Sequence, residues 1–198
     1  MPQMKFVDIH THRPTMLHIE PSGIGIHPWD AGCEVPESFG DRLAEAQLIG
    51  EIGLDFACPV PHDRQTEVFR MQLQIAAATG KPVLLHCVRA FEPTMSILAE
   101  YALKAVIFHG FIGSEQQAMQ AVGRGYCLSF GARCIHSPKT VRALLAVPLT
   151  NLFLETDDDR MSIEEMYNFA ADVKELSVGE LQHAILNNYQ RIFNDDEQ

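Results

Sequence analysis

Short apolar runs that close on a polar or charged side chain recur along this chain, and they alternate with stretches of helical period. Phe6–Ile9, Leu48–Leu54, Pro82–Cys87, Ala105–His109, Tyr126–Phe130 and Leu152–Glu155 read as strands, and Ile24–His27 as a shorter one. Helices are predicted over Pro36–Ala46, Asp63–Thr79, Pro93–Tyr101, Ser114 to Val122 and Ser137–Leu145. Asp63–Thr79 is the plainest of these: Asp63 can cap it, Val68, Met71 and Ile75 fall at helical spacing, and Gly80 stops it. Ser114 and Gln117 form a capping box, and Pro138 suits a first helical turn. Two further helices close the chain, each opening on its own box, Ser162/Glu165 and Ser177/Glu180.

Strand and helix in regular alternation imply βα units and a parallel sheet. With no linker to divide it, the chain reads as one domain over residues 1–198, a TIM-barrel-like α/β fold with about seven parallel strands and surrounding helices. That is short of a complete barrel, and the deficit lies early. Only 14 residues separate His12 from His27, and they include Pro14, Pro21, Ser22 and Gly23. This is too little chain for a full helix and another strand, so the barrel is expected to be trimmed, with Thr15–Ile19 as a remnant strand.

Composition adds class limits. The chain is 46% apolar and 21% charged, an ordinary globular balance. No apolar run reaches the roughly 18 residues of a membrane span, and the start shows no basic region followed by a long apolar core. The 5 cysteines are odd in number and none is in CxxC spacing, which reads as reduced thiols in a cytoplasmic protein. Cys87 sits in a buried-type run and reads as a small core residue rather than a nucleophile. Net charge is −11, with 15 basic and 26 acidic residues, which argues against a broad grip on duplex DNA. Bound divalent ions would reverse that sign locally and draw in an anionic substrate.

The chemistry lies where the apolar runs end. His10 and His12 are two apart on a strand and share a face with Asp8. Glu51 sits in GEIGLD, where Gly50 and Gly53 allow close backbone approach. A carboxylate there is costly to bury unless it is paired or bound to metal. Asp55 has the same parity but lies past the strand, as a loop cap or a group behind the ligands. His86 follows PVLL, His109 follows AVIF, and Asp157 follows LFLET. Imidazoles so placed can ligate metal, and Asp157 can bind metal, orient the attacking water or accept its proton. His27, before Pro28, is a substrate contact or a turn residue. Arg89, three residues after His86, reaches an anionic substrate or pairs at a helix start. Four His and two carboxylates in equivalent strand-end positions point to a two-metal hydrolytic centre.

The stretches DIHTH, GIHPW, IGEIGLDF, RQ…F…QL…A, KPVLLHC, FHGFIGS, YCLSFG, LETDD and NYQRIF occur in the order found in the TatD family of metal-dependent hydrolases. The chain resembles that family over nearly its whole length. The resemblance implies that His10, His12, Glu51, His86, His109 and Asp157 are the metal and catalytic positions, and that the activity is of phosphodiesterase or deoxyribonuclease type. Three departures stand out besides the short early segment. HxR becomes HCVRA, which moves Arg89 one place; HPH becomes HPW, with Trp29; and ETDAP with its basic RGKRNEP-like loop becomes ETDDDRMS.

The expectation is therefore a divalent-metal-dependent hydrolase of phosphate esters, a deoxyribonuclease acting on single-stranded DNA or DNA ends. Glu51 would bridge two ions, His10, His12 and Asp157 would complete one site, and His86 and His109 the other. Zn²⁺ fits the imidazole-rich set, while Mg²⁺ or Mn²⁺ fits phosphate chemistry. Glu51 and Asp157 would be the catalytic carboxylates. Two rival readings remain: a hydrolase of a small phosphoester, amide or lactone at the same metal centre, and a metal-binding scaffold without activity.

Overall fold

The computed structural model describes residues 5–34 and 36–194, so the acidic run Asp195–Glu197 lies outside the described residues. The chain divides into two compact units, Ser22–Phe108 and Met1–Pro21 with His109–Gln198.

The unit Ser22–Phe108 carries β1 (Gly23–Ile24), α1 (Arg42–Glu45), β2 (Leu48–Asp55), α2 (His62–Thr79), β3 (Val83–Val88), α3 (Phe91–Leu98) and β4 (Val106–Phe108). The ladders β1–β2, β2–β3 and β3–β4 are all parallel. Both faces of such strands are covered, which accounts for their unbroken apolar composition. Ile49, Ile52, Leu54, Val83, Leu85 and Ile107 are fully buried. Helix α2 packs Val68, Phe69, Leu73 and Ala76 inward and ends at Gly80, whose φ of 64° suits a residue without Cβ. Asp63 does not cap it. The N-cap is Pro61, and Asp63 sits in the first turn, where its charge favours the helix dipole instead. The helix predicted over Pro36–Ala46 splits into a 3-10 turn, Pro36–Phe39, and α1, with Gly40 between them at φ 50°.

The other unit carries α4 (Glu115–Val122), β5 (Cys127–Phe130), α5 (Pro138–Ala146), β6 (Leu152–Leu154), α6 (Ile163–Lys174) and α7 (Val178–Phe193). Strands β5 and β6 pair in parallel. All three predicted capping boxes form, at Ser114/Gln117, Ser162/Glu165 and Ser177/Glu180. Pro138 opens α5 behind the N-cap Ser137.

Six strands form among the described residues, rather than seven. The difference is Phe6–Ile9, which has a single isolated bridge, Val7 to Ile19; Thr11, just past it, bridges to Asp157. Its partner segment is limited by the same short loop that trims the fold. Pro21 comes only two residues after Ile19, so the ladder stops after one rung. The segment is nevertheless fixed: Val7 and Ile9 are fully buried, and Tyr167 Oη donates to Val7 O (3.1 Å).

Candidate functional site

Backbone hydrogen bonds set the first group of side chains. Ile9 N donates to Leu154 O (3.1 Å), Asp157 N to His10 O (3.0 Å) and His12 N to Asp157 O (3.0 Å). This interleaving brings His10 Nε2 to 3.6 Å and His12 Nε2 to 3.4 Å from Asp157 Oδ1. The His10 ring lies 4.8 Å from that of His109 and 4.9 Å from that of His12. His10, His109 and Asp157 each offer a donor atom within 4.8 Å of the others. Asp157 adopts φ 53°, a left-handed conformation that Asp tolerates better than most residues. His12 is the outermost of the four, its side chain 56% exposed.

Two carboxylates stand behind this group. Glu155 is buried, with Oε1 3.4 Å from His109 Nδ1. Burial pushes its carboxyl up, but the hydrogen bond and charge of His109, together with His10 and Ser129, hold it below the ordinary range. Asp8 is buried too. It accepts from Thr156 N (3.0 Å) and Thr156 Oγ1 (2.7 Å), yet desolvation prevails and its carboxyl is raised to about 7.

The second group belongs to the unit Ser22–Phe108. Glu51 lies mid-strand in β2, at a register irregularity between Ile49 and Ile52, and His86 lies mid-strand in β3. From the sequence both are expected at strand ends. Glu51 Oε2 is 3.7 Å from His86 Nδ1 and 3.9 Å from His27 Nε2. The rings of His27 and His86 are 4.3 Å apart. His27, Glu51 and His86 thus form a further group with donor atoms within 4.8 Å of one another. Gln72, buried on α2, receives Ile26 N (2.6 Å) and donates to Ile26 O (3.1 Å), which fixes the residue before His27. Gln65 does the same for Asp55, receiving its N–H (2.8 Å) and donating to its carbonyl (2.9 Å).

Asp55 closes β2 rather than lying past it, and its Oδ2 meets His86 Nε2 at 3.4 Å. It also accepts from Trp29 Nε1 (2.7 Å) and Ala57 N (2.8 Å). Burial raises the Asp55 carboxyl, but the hydrogen bonds from Trp29, Ala57 and His86 together bring it below its usual value. Arg89 is exposed in the bend after β3, at φ 53°.

The donor sets suit a divalent cation. Each combines two imidazoles with a carboxylate, and one imidazole in each is backed by a second carboxylate, Glu155 behind His109 and Asp55 behind His86. Such backing fixes the tautomer and orientation of a ligating His. The sequence alone assigns no role to Glu155, Trp29, Gln65 or Gln72. Glu155 carried a usable signal, a carboxylate directly after the apolar run LFL, where burial demands a partner.

Parallel βα units bearing imidazole and carboxylate groups on and after their strands define the class of TIM-barrel-like metal-dependent hydrolases. The family model for TatD related DNase matches residues 20–194, and the chain belongs to that family. It is 31% identical over 180 residues to the deoxyribonuclease TATDN3 of Homo sapiens, covering 83% of this chain and 65% of that protein. Against the 3'-5' ssDNA/RNA exonuclease TatD of Cronobacter sakazakii it is 36% identical over 150 residues, covering 69% of this chain and 56% of the other. The crystal structure of YjjV, a TatD homologue from Escherichia coli K12, superposes with a TM-score of 0.80 at 26% identity, covering 89% of this chain and 77% of that one. The chain therefore spans just under two thirds of the length of the TATDN3 relative. Its fold class is the trimmed TIM-barrel-like α/β arrangement expected from the sequence. No helix among the described residues is long and apolar enough to cross a membrane.

Proposed function

We propose that the chain is a divalent-metal-dependent hydrolase of phosphodiester bonds, acting on single-stranded DNA or DNA ends. The observation that carries this reading is the pair of imidazole–carboxylate groups in a chain of the TatD related DNase family. One ion is assigned to His10, His109 and Asp157, with His12 alongside, and a second to His27, Glu51 and His86. His27 is taken as a ligand rather than a substrate contact because of its approach to Glu51 and His86. Zn²⁺ matches the imidazole content, and Mg²⁺ or Mn²⁺ the phosphate substrate.

A bound divalent ion acidifies water and offsets charge on phosphoryl oxygens. The protein supplies the rest. Asp157 orients the attacking water and takes its proton, placed for this by its Oδ1, which faces both His10 and His12. Glu155 holds the Nδ1–H of His109, which leaves the Nε2 lone pair for the cation. Glu51 neutralises charge beside His27 and His86, and Asp55 orients His86. Arg89, exposed next to β3, serves as a contact for a substrate phosphate. The five free thiols support placing the protein in the cytoplasm.

The test is cleavage of a short single-stranded DNA with Zn²⁺, Mg²⁺ or Mn²⁺, beside His109→Ala and Asp157→Asn. The expected result is metal-dependent turnover that falls at least about a hundredfold in each variant. Turnover without metal, or equal turnover in both variants, would overturn the proposal. A strong preference for small phosphoesters over DNA would favour the small-substrate reading, which the exposed Asp158 and Asp159 beside Asp157 support.

A further inference from the structure

A pocket of about 410 Å³ lies in the unit Met1–Pro21 with His109–Gln198, walled by residues from 8–20 and 156–164. Both segments are places where the chain departs from the family pattern: the shortened stretch after His12 and the ETDDDRMS loop. We propose that this pocket is a nucleotide subsite, which holds a deoxynucleoside phosphate of the substrate strand with its phosphate on Arg13 and Arg160. The inference rests on the hydrolase reading for its role in turnover, but not for binding.

The wall carries four carboxylates and two guanidiniums, and what favours an anion is that the carboxylates are engaged within the wall while, among the described residues, the guanidiniums are not. Asp8 is engaged by the amide and hydroxyl of Thr156. Glu20 receives Thr15 N, Met16 N and Thr15 Oγ1 at 2.8–3.1 Å. Asp159 Oδ1 receives Met161 N (3.0 Å), and Glu164 Oε1 lies 3.5 Å from His18 Nε2. Asp8, Glu20 and Asp159 thus accept hydrogen bonds from the pocket's own residues, and Glu164 faces the His18 imidazole. Arg13 and Arg160 also line the pocket, and neither has a carboxylate partner among the described residues. A guanidinium fork matches carboxylate and phosphate geometry, and two of them suit the doubly charged phosphate.

Size and lining select a nucleotide over a bare phosphate. The volume falls within the usual range for small-molecule sites, roughly 300–1,000 Å³. Met161 and Ile163 supply apolar wall for a base or sugar. Position gives the role. Thr156 immediately precedes Asp157, Thr11 lies between His10 and His12, and their hydroxyls meet at 2.9 Å. The pocket thus adjoins the His10–Asp157 group without containing a ligand of it, as suits a nucleotide flanking the cleaved bond.

Two measurements test this. First, dAMP, deoxyadenosine and inorganic phosphate are titrated into metal-free protein, wild type and R13Q/R160Q, with Arg142→Gln as a control for loss of surface charge. The wild type is expected to bind dAMP at least about tenfold more tightly than the other two, and R13Q/R160Q to lose that advantage while melting as the wild type does. Equal dAMP affinity in R13Q/R160Q, or no preference for dAMP over phosphate, overturns the subsite. Second, the ratio of kcat/KM for single-stranded DNA to that for bis(p-nitrophenyl) phosphate, which has no flanking nucleotide, should fall about tenfold in R13Q/R160Q, mainly through KM on DNA. An unchanged ratio also overturns it. If the wild type cleaves neither substrate, the hydrolase reading fails, and the dAMP titration still decides the pocket.

Discussion

The Trp29 indole sits 62% exposed, yet its N–H reaches a buried carboxylate. Asp55 Oδ2 takes that hydrogen bond and also faces His86 Nε2. In the sequence, Trp29 stood out only as a departure from HPH. What it does depends on Asp55 being 26 residues away in the chain and close in space, and no local pattern encodes that. Trp29→Phe keeps most of the ring and deletes the donor. Asp55 is the outer partner of His86, loss of such a partner typically costs about 10–100-fold in metal affinity, and Trp29 acts through Asp55 at the low end of that range. Calorimetric titration with Zn²⁺ or Mn²⁺ should therefore show a loss of at least about tenfold at one site, with little change in melting temperature, because the indole buries little surface. A tyrosine gives the contrasting case. The buried Tyr167 hydroxyl donates to Val7 O and receives Val7 N (3.3 Å). Tyr167→Phe leaves both backbone groups short of a partner and should cost about 1–3 kcal/mol in denaturant unfolding. A change within error would mean that water replaces the hydroxyl there.

Elements whose determinants lie within a few residues were legible in the sequence. The capping boxes of α4, α6 and α7 are each written in four consecutive positions, and each forms. Ser177→Ala removes the bond from Glu180 N and should cost about 1 kcal/mol, measured by urea unfolding. Elements that need a distant partner were not legible. Phe6–Ile9 has the composition of a strand, but whether it becomes one depends on how much chain is available beside it, and Ile19 offers one rung. The Glu51 position is intermediate. The glycines of GEIGLD implied close approach, and the geometry gives the distance: a Cβ on Gly53, at φ 141°, would stand 2.0 Å from His86 O. That oxygen is backbone in β3 and has nowhere to move. Gly53→Ala should thus separate β2 from β3 and disturb Glu51 and His86 together. The expected result is a destabilisation of at least about 3 kcal/mol with loss of metal binding. A soluble Gly53→Ala protein that melts and binds metal like the wild type would exclude this packing.

At the scale of the whole molecule, the net charge of −11 constrains how the proposed DNA substrate would be held. Proteins that grip nucleic acid through many Lys and Arg contacts release a counterion at each, and their affinity falls steeply with salt. This chain has 15 basic residues against 26 acidic ones. Of these, Arg13, Arg160 and Arg89 are the guanidiniums assigned here to substrate. Three phosphate contacts on a single strand give a slope of log affinity against log salt of about −2. Repulsion from the acidic remainder is itself screened as salt rises, which makes the slope shallower still. Single-stranded DNA binding by the metal-free protein, followed from about 50 to 300 mM salt, should accordingly show a slope no steeper than about −2. R13Q/R160Q should flatten it by about 1.4, two contacts' worth. A slope near −4 would require a basic surface that the composition does not supply, and would mean that the strand is held somewhere other than at these few arginines.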